Sequence, residues 1–94
     1  APKKIKGFPK LKFYTDPGHG WIAVKLSFLR QKNLLDKISE FSYIKGKTAY
    51  LEEDCDLTVF VKALSKIGIK PYWKVSYTDK SSKIRSYNRY ICFV

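Results

Sequence analysis

Apolar and polar residues alternate near the start of the chain, a pattern typical of strands that bury one side. The alternation predicts one strand over residues 11–15 and a second over residues 21–26. Between them lies Asp16-Pro17-Gly18, in which proline fixes φ, glycine permits a positive φ and aspartate can accept hydrogen bonds from the following backbone. The two strands are therefore predicted to form a hairpin.

The middle of the chain has the clearest helical periodicity. Its apolar positions recur at i, i+3, i+4 and i+7, which places them on one face of a helix; they are Leu57, Phe60, Val61 and Leu64. Asp56 is expected to cap the start of this helix, with Asp54 as the alternative. Gly68 suits the position just after its end, and Pro71 prevents it from continuing.

Shorter patterns predict the remaining elements. A second, short helix is expected to be capped by Ser27 and to run to about residue 35. Further strands are predicted over residues 41–44, 48–52, 71–78 and 83–94. The resulting order is ββαββαββ. It predicts a single α+β domain over residues 11–94, with an antiparallel sheet of five or six strands and one or two helices packed on one face.

The inward positions of these elements define an expected core. Its residues are large and apolar, which lets a small domain bury much area with few side chains. The predicted core residues are Phe13, Ile22, Val24, Phe41, Tyr50, Leu57, Phe60, Val61, Leu64, Trp73, Val75 and Ile91.

Charge narrows the choice of partner. The chain has 19 basic and 8 acidic residues, a net charge of +11, and such a surface attracts nucleic acid, acidic proteins or anionic membrane. Residues 1–10 place four lysines among Pro2, Gly7 and Pro9, which predicts a flexible basic arm. The alternative is a solvated tail that only keeps the protein soluble.

Cysteine usage indicates a reducing compartment. Cys55 and Cys92 are too few for a disulfide scaffold, and their spacing does not suit a zinc site. No apolar run approaches the length of a membrane span or a signal-peptide core. We therefore expect a cytoplasmic protein with no membrane partner, no metal and no cofactor.

The stretch from residue 80 to residue 90 is the most suggestive for binding. As a strand it would place Lys83, Arg85, Tyr87 and Arg89 on one side, so that cations alternate with a ring able to stack on a base. The serines beside Lys80 could hold a phosphate through hydroxyl and amide groups. The predicted nucleic-acid-binding residues are Lys80, Ser81, Ser82, Lys83, Arg85, Tyr87 and Arg89. The equally weighted alternative is a solvated outer strand.

His19 and Trp21 form a possible functional loop. Glycines on both sides of His19 would leave its ring accessible to a ligand, and a histidine can act as a base near neutral pH. The favoured alternative is a histidine packed on Trp21 in a hairpin loop, because the sequence indicates no catalytic partner.

The chain has one cluster of acids, formed by Glu52, Glu53, Asp54 and Asp56. Carboxylates can bind a hard cation such as Mg²⁺, but the spacing is not that of an EF-hand loop. The cluster opens the central helix, where acids are favoured, so helix capping is the preferred interpretation. Cys55 lies within the cluster, and the nearby carboxylates make it a poor nucleophile.

Three runs of sequence resemble a group of short tailed-phage proteins of unassigned function. They are Gly18-His19-Gly20-Trp21, the run from Tyr50 to Asp56 and the run from Ser81 to Tyr87. The resemblance spans residues 13–90. It implies a bacteriophage accessory protein that acts in the host cytoplasm, and it implies no activity.

The sequence thus favours a non-catalytic binder of an anionic partner, with nucleic acid first. The alternative is an interaction module that targets an acidic host or viral protein. A small hydrolase or nuclease that uses His19 with the acidic cluster is the weakest hypothesis, since no catalytic motif is present. An exposed final strand could also pair two subunits into a homodimer.

Overall fold

A computed structural model describes residues 11–80 and 82–90, so the predicted basic arm, Ser81 and residues 91–94 lie outside the described part. The strands are β1 (Leu11–Thr15), β2 (Gly20–Lys25), β3 (Tyr43–Lys45), β4 (Thr48–Glu52), β5 (Trp73–Tyr77) and β6 (Asn88–Arg89). The helices are α1 (Leu26–Gln31) and α2 (Asp56–Lys66), with 3-10 turns at Leu35–Lys37 and Lys83–Ser86. The α+β class and the order ββαββαββ are confirmed.

The strands form one sheet in the order β5-β1-β2-β4-β3-β6. Every neighbouring pair is antiparallel except β1 and β5, which are parallel. The sheet was predicted to be antiparallel, and this one pair departs from that prediction. The physical reason is α2, which leads the chain from β4 back over the sheet to its far edge, beyond β1. A parallel strand requires a crossover of this kind.

One face of the sheet, here called the inner face, forms the core. The register places Phe13 opposite Ile22 and Ile22 opposite Leu51, so these three residues point to the same side. Both helices cover that side, as predicted, and the ring of Phe28 in α1 meets Phe60 in α2 edge-on at 6.2 Å between centroids. The most buried core residues of the sheet and helices are Ile22, Val24, Leu29, Ala49, Leu51, Phe60 and Leu64.

The periodicity of α2 is confirmed. Phe60 and Leu64 are fully buried, while Leu57 and Val61 are partly buried against the same core. The end of α2 is a Schellman motif: the amide of Gly68 donates to Ser65 at 3.1 Å, and the next amide donates to Leu64 at 2.9 Å. Gly68 has φ of 78°, the left-handed conformation that glycine adopts without a Cβ penalty.

The predicted caps of both helices are wrong. The helix α2 begins at Asp56 itself, and neither Asp54 nor Asp56 caps it, since the residue at the N-cap position is Cys55, with no side-chain cap hydrogen bond. The carboxylate of Asp56 instead accepts hydrogen bonds from a loop before β3. The helix α1 begins one residue before Ser27, which lies inside it.

Three predicted core residues lie elsewhere. Phe41 precedes β3 and is 59% exposed, and Val75 is 56% exposed because β5 is an edge strand. Tyr50 lies on the other side of the sheet from Leu51 and is half-buried. Ile91 lies outside the described residues.

The predicted long final strand is also wrong. Lys83–Ser86 is a 3-10 turn, and within the described part of residues 83–94 only Asn88–Arg89 pairs with β3. The two-residue strand β6 offers little backbone for pairing two subunits. The strand β5, at the other edge of the sheet, is longer. No helix among the described residues combines the length and apolar composition that a membrane span requires.

Candidate binding surface and cleft

The second side of the sheet, here called the outer face, faces away from both helices. The register Lys12–Ala23–Tyr50–Tyr43–Arg89 crosses five strands and shows that these residues share this side. The outer-face residues of the strands are Lys12, Tyr14, Trp21, Ala23, Lys25, Tyr43, Lys45, Thr48, Tyr50, Glu52, Lys74, Ser76 and Arg89. Within this set the cations are exposed, and Glu52 is the one acid.

Three tyrosines form a row on the outer face. The ring of Tyr50 lies 6.2 Å from that of Tyr14 and 5.1 Å from that of Tyr87, which reaches over the sheet from the residues after the 3-10 turn. All three are half-buried, and the ammonium of Lys45 lies 4.8 Å from the centre of the Tyr87 ring. Burial, followed by the nearby phenols, raises the pKa of Tyr50, so the hydroxyl of Tyr50 is neutral at physiological pH.

The segment 82–89 is tied to the outer face by Asp16. Its carboxylate accepts two hydrogen bonds from the guanidinium of Arg85, at 2.8 and 3.0 Å, and one from the amide of Ser82 at 2.9 Å. It also accepts from the amides of Gly18 and His19, the predicted turn geometry. The guanidinium of Arg85 then lies 5.4 Å from the centre of the Trp21 ring, which is 1% exposed.

This arrangement predicts a dependence of stability on pH. The hydrogen bond from Arg85, followed by that from Ser82, holds the pKa of Asp16 well below its usual value of 3.8. A carboxyl with a lowered folded-state pKa stabilises the fold fully above its unfolded-state pKa and loses that contribution as pH falls toward the folded value. The Asp16→Asn variant should therefore melt several degrees below the parent at neutral pH, and this difference should shrink below about pH 4.

Thermal melts followed by circular dichroism across pH give this comparison directly. Asp36→Asn is the matched control, because Asp36 is exposed in the other 3-10 turn. A difference between Asp16→Asn and the parent that stays constant down to about pH 2 would contradict the assignment.

A cleft with a volume of about 360 Å³ opens at one end of the outer face. Its floor includes Trp21, whose indole N–H is buried without a hydrogen-bond partner among the described residues. Arginine and carboxylate side chains both line it, so it can contact groups of either sign. The lining residues are His19, Trp21, Phe41, Tyr43, Glu52, Asp54, Cys55, Arg85 and Arg89.

His19 has a partner in this cleft that the sequence did not indicate. Its Nδ1 lies 3.4 Å from Oε2 of Glu52, and its ring lies 6.1 Å from that of Trp21, so the expected packing is also present. The imidazole is 45% exposed, whereas the Glu52 side chain is 10% exposed. One ligand atom from each of His19, Glu52 and Asp54 lies within 4.8 Å of the others.

Buried hydrogen bonds hold Glu52 in place. Its amide donates to the hydroxyl of Ser42 at 3.0 Å, and that hydroxyl in turn donates to the carboxylate of Asp56. Asp56 also accepts from the amide and hydroxyl of Ser39. Within the acidic cluster, Asp56 therefore organises the loop 39–42, while Glu52 and Asp54 face the cleft.

Cys55 also lines the cleft and is exposed with a free thiol. Loss of solvent around the thiol, followed by the charges of Glu52, Asp56 and Asp54, raises its pKa. The thiol is thus protonated near neutral pH, which agrees with the expectation that Cys55 is a poor nucleophile.

The predicted binding residues are brought together only in part. The shared strand side is wrong because Lys83–Ser86 is a 3-10 turn, yet Arg85, Tyr87 and Arg89 each lie over a ring of the outer face. The guanidinium of Arg89 lies 4.7 Å from the centre of the Tyr43 ring. Lys80 and Lys83 are exposed beside them.

The predicted serine phosphate site is already used by the chain itself. The hydroxyl of Ser82 accepts from the amide of Ile84 at 3.2 Å, and the amide of Ser82 donates to Asp16. Ser81 lies outside the described residues. An anion bound to the amide of Ser82 would have to displace the Asp16 carboxylate.

Sequence reasoning missed the tyrosines and lysines of β1, β3 and β4. The signal was present in the strand alternation, because Tyr14 and Tyr50 occupy outward positions where a solvated sheet would have shorter polar side chains. The partnership of His19 with Glu52 had no local signal, since 33 positions separate them in the chain. Only the pairing of β2 with β4, which places Trp21 opposite Glu52, brings them together.

Comparisons of this chain with protein-family models, with curated proteins and with solved structures found no match. The resemblance to short tailed-phage proteins stays a prediction.

Proposed function

We propose that the outer face binds single-stranded nucleic acid without catalysis. The observation that supports this most directly is the row of Tyr14, Tyr50 and Tyr87, with exposed cations around it. Aromatic rings that stack on bases and cations that follow phosphates are the two components of a platform for single strands. The net charge of +11 would add long-range attraction to any polyanion.

The two arginines of the segment 82–89 have different parts in this proposal. Asp16 accepts two hydrogen bonds from one edge of the Arg85 guanidinium, so the main part of Arg85 is to hold the segment over Trp21. Arg89 contacts the ring of Tyr43 and pairs with no acid among the described residues. Arg89 is therefore the better candidate for a phosphate contact, together with Lys45 beside Tyr87.

The stacking component can be tested by fluorescence anisotropy with labelled single-stranded DNA, single-stranded RNA and duplex, in buffer that contains EDTA. Tyr50→Ala and Tyr87→Ala should each weaken single-strand binding by about 1–3 kcal/mol, with little change in salt dependence. Tyr77→Ala is the matched control, because Tyr77 is 63% exposed but belongs to the inner side of β5. Absence of binding by the parent at low salt would disprove the proposal.

The charge component has a separate readout. For single strands, log K falls with log salt by about 0.7 for each phosphate contact. Replacing both Lys45 and Arg89 with alanine should therefore flatten that slope by about 1.4. The control pair is Lys62→Ala with Lys66→Ala, two exposed lysines of α2 on the other side of the sheet. Equal slopes for the parent and the Lys45 and Arg89 variant would place the phosphates on another surface.

An acidic protein partner is the alternative, and the oligonucleotide assay distinguishes it. Recovery of a stoichiometric protein from a nuclease-treated lysate, with no oligonucleotide binding in the anisotropy assay, would favour this alternative. With either partner, we propose that this chain is an accessory protein of tailed-phage type that acts in the host cytoplasm.

A further inference from the structure

One buried oxygen in the cleft has no hydrogen-bond donor. The carboxylate of Glu52 accepts the amide of Asp54 at Oε1, at 2.7 Å, while its Oε2 is buried without a hydrogen-bond partner. Burial of a carboxylate oxygen is unfavourable unless it is paired or coordinates a metal. Nδ1 of His19 lies 3.4 Å from Oε2.

The separation of these two atoms fits a shared metal ion. Bonds of about 2.0–2.2 Å to a tetrahedral ion place its ligand atoms roughly 3.4 Å apart. The distance from His19 to Glu52 has this value, and a carboxylate oxygen of Asp54 completes a set within 4.8 Å. Asp54 is exposed, so a rotation of its side chain can bring its oxygen closer.

We propose that His19, Glu52 and Asp54 bind one divalent transition-metal ion of the Zn²⁺ or Co²⁺ type. One imidazole and two carboxylates favour such an ion over Mg²⁺ or Ca²⁺, which prefer oxygen ligands alone. Three protein ligands leave a coordination position open, as in metal sites that bind a further ligand, and all three residues line the cleft. The sequence had predicted no metal, because the cysteine spacing does not suit zinc and the acids were assigned to helix capping.

Two features prepare the site for an ion. The hydrogen bond from Ser42 to Asp56 fixes the backbone of Glu52, and the amide of Asp54 occupies Oε1, which leaves Oε2 as the ligand atom. The site also lies within a chain of high positive charge, which repels cations at long range. A bound cation would therefore be held by Glu52 and Asp54 themselves.

The test is a titration of the full chain, stripped of metal, with Co²⁺ and then with Zn²⁺ in competition. We expect visible Co²⁺ bands that saturate at one ion per chain and disappear when Zn²⁺ is added, together with a higher melting temperature in Zn²⁺. His19→Ala and Asp54→Asn should each raise the dissociation constant at least about tenfold. Both residues are exposed, so these variants are expected to fold, and circular dichroism checks that they do.

Two controls separate this site from incidental binding. Cys55→Ser removes the thiol in the same cleft, and Glu40→Gln removes an exposed acid outside the cleft; neither should change the affinity. Absence of Co²⁺ bands, a strong near-ultraviolet thiolate band, or affinity that survives both His19→Ala and Asp54→Asn would overturn the proposal. The titration contains no nucleic acid and the anisotropy assay contains EDTA, so either proposal can fail alone.

Discussion

Replacing Phe60 with alanine is expected to lower the free energy of unfolding by about 3–5 kcal/mol. Phe60 is fully buried where α2 meets the sheet, and its ring packs edge-on against Phe28 of α1. Truncation removes apolar area from the core and leaves a cavity that both helices border. A domain of 94 residues has a total stability of roughly 5–15 kcal/mol, so most of it could be lost.

Urea denaturation followed by circular dichroism measures this loss. Val59→Ala is the matched control: it removes apolar atoms from the neighbouring residue of α2, which is 38% exposed. The control should change stability by less than about 1 kcal/mol. Equal midpoints for Phe60→Ala and Val59→Ala would show that α2 does not pack against the sheet in the register described. Because the inner and outer faces belong to one sheet, we also expect nucleic-acid binding by Phe60→Ala to fall as the protein unfolds.

The parts of the fold that the sequence predicted well depend on local patterns. The strands β1 and β4 and the apolar side of α2 follow from alternation and from i, i+3, i+4 spacing, which neighbouring residues impose on each other. Gly68 marks the end of α2 because its φ of 78° is unfavourable for other residues. Such features need no information about distant parts of the chain.

The parts that were missed depend on contacts between distant residues. Residues 83–86 alternate as a strand would, but Asp16 binds Arg85 across 69 positions and holds the segment as a 3-10 turn over Trp21. Tyr50 was assigned to the core, although strand alternation puts it on the other side of the sheet from Leu51. An aromatic residue in a strand can pack in the core or bind a ligand from the outer face. Only the register of the strands shows which of its two sides faces the core.

The same limit explains the cleft. The preferred interpretations gave His19 no partner and assigned the acids to helix capping, because each used only nearby residues; only the least favoured hypothesis joined His19 to the acids. The pairing of β2 with β4 then brings the loop of His19 beside Glu52 and Asp54. Asp56 joins the loop 39–42 to the same site through Ser42, so a residue that was expected to cap a helix instead positions a candidate ligand.

Replacing Asp56 with alanine is the second large effect that we expect. Each buried donor that loses its acceptor costs about 1–3 kcal/mol, and Asp56 accepts from the amide of Ser39 and the hydroxyl of Ser42. The free energy of unfolding should therefore fall by about 2–6 kcal/mol. Asp56→Asn keeps one acceptor oxygen and the shape of the side chain, so it should lose less.

The effect of Asp56 on the cleft is measured separately, by Zn²⁺ affinity at a temperature where the variants remain folded. Residues that orient a metal ligand typically change affinity by about tenfold or more, so Asp56→Ala should weaken Zn²⁺ binding by that factor. Asp56→Asn should restore most of the affinity, because the hydroxyl of Ser42 can again donate to residue 56 and accept from the amide of Glu52. If Asp56→Ala is destabilised but binds Zn²⁺ like the parent, the hydrogen bonds through Ser42 support the fold without positioning Glu52. If Asp56→Ala instead loses affinity and Asp56→Asn regains it, the buried hydrogen bonds through Ser42 set the geometry of the cleft.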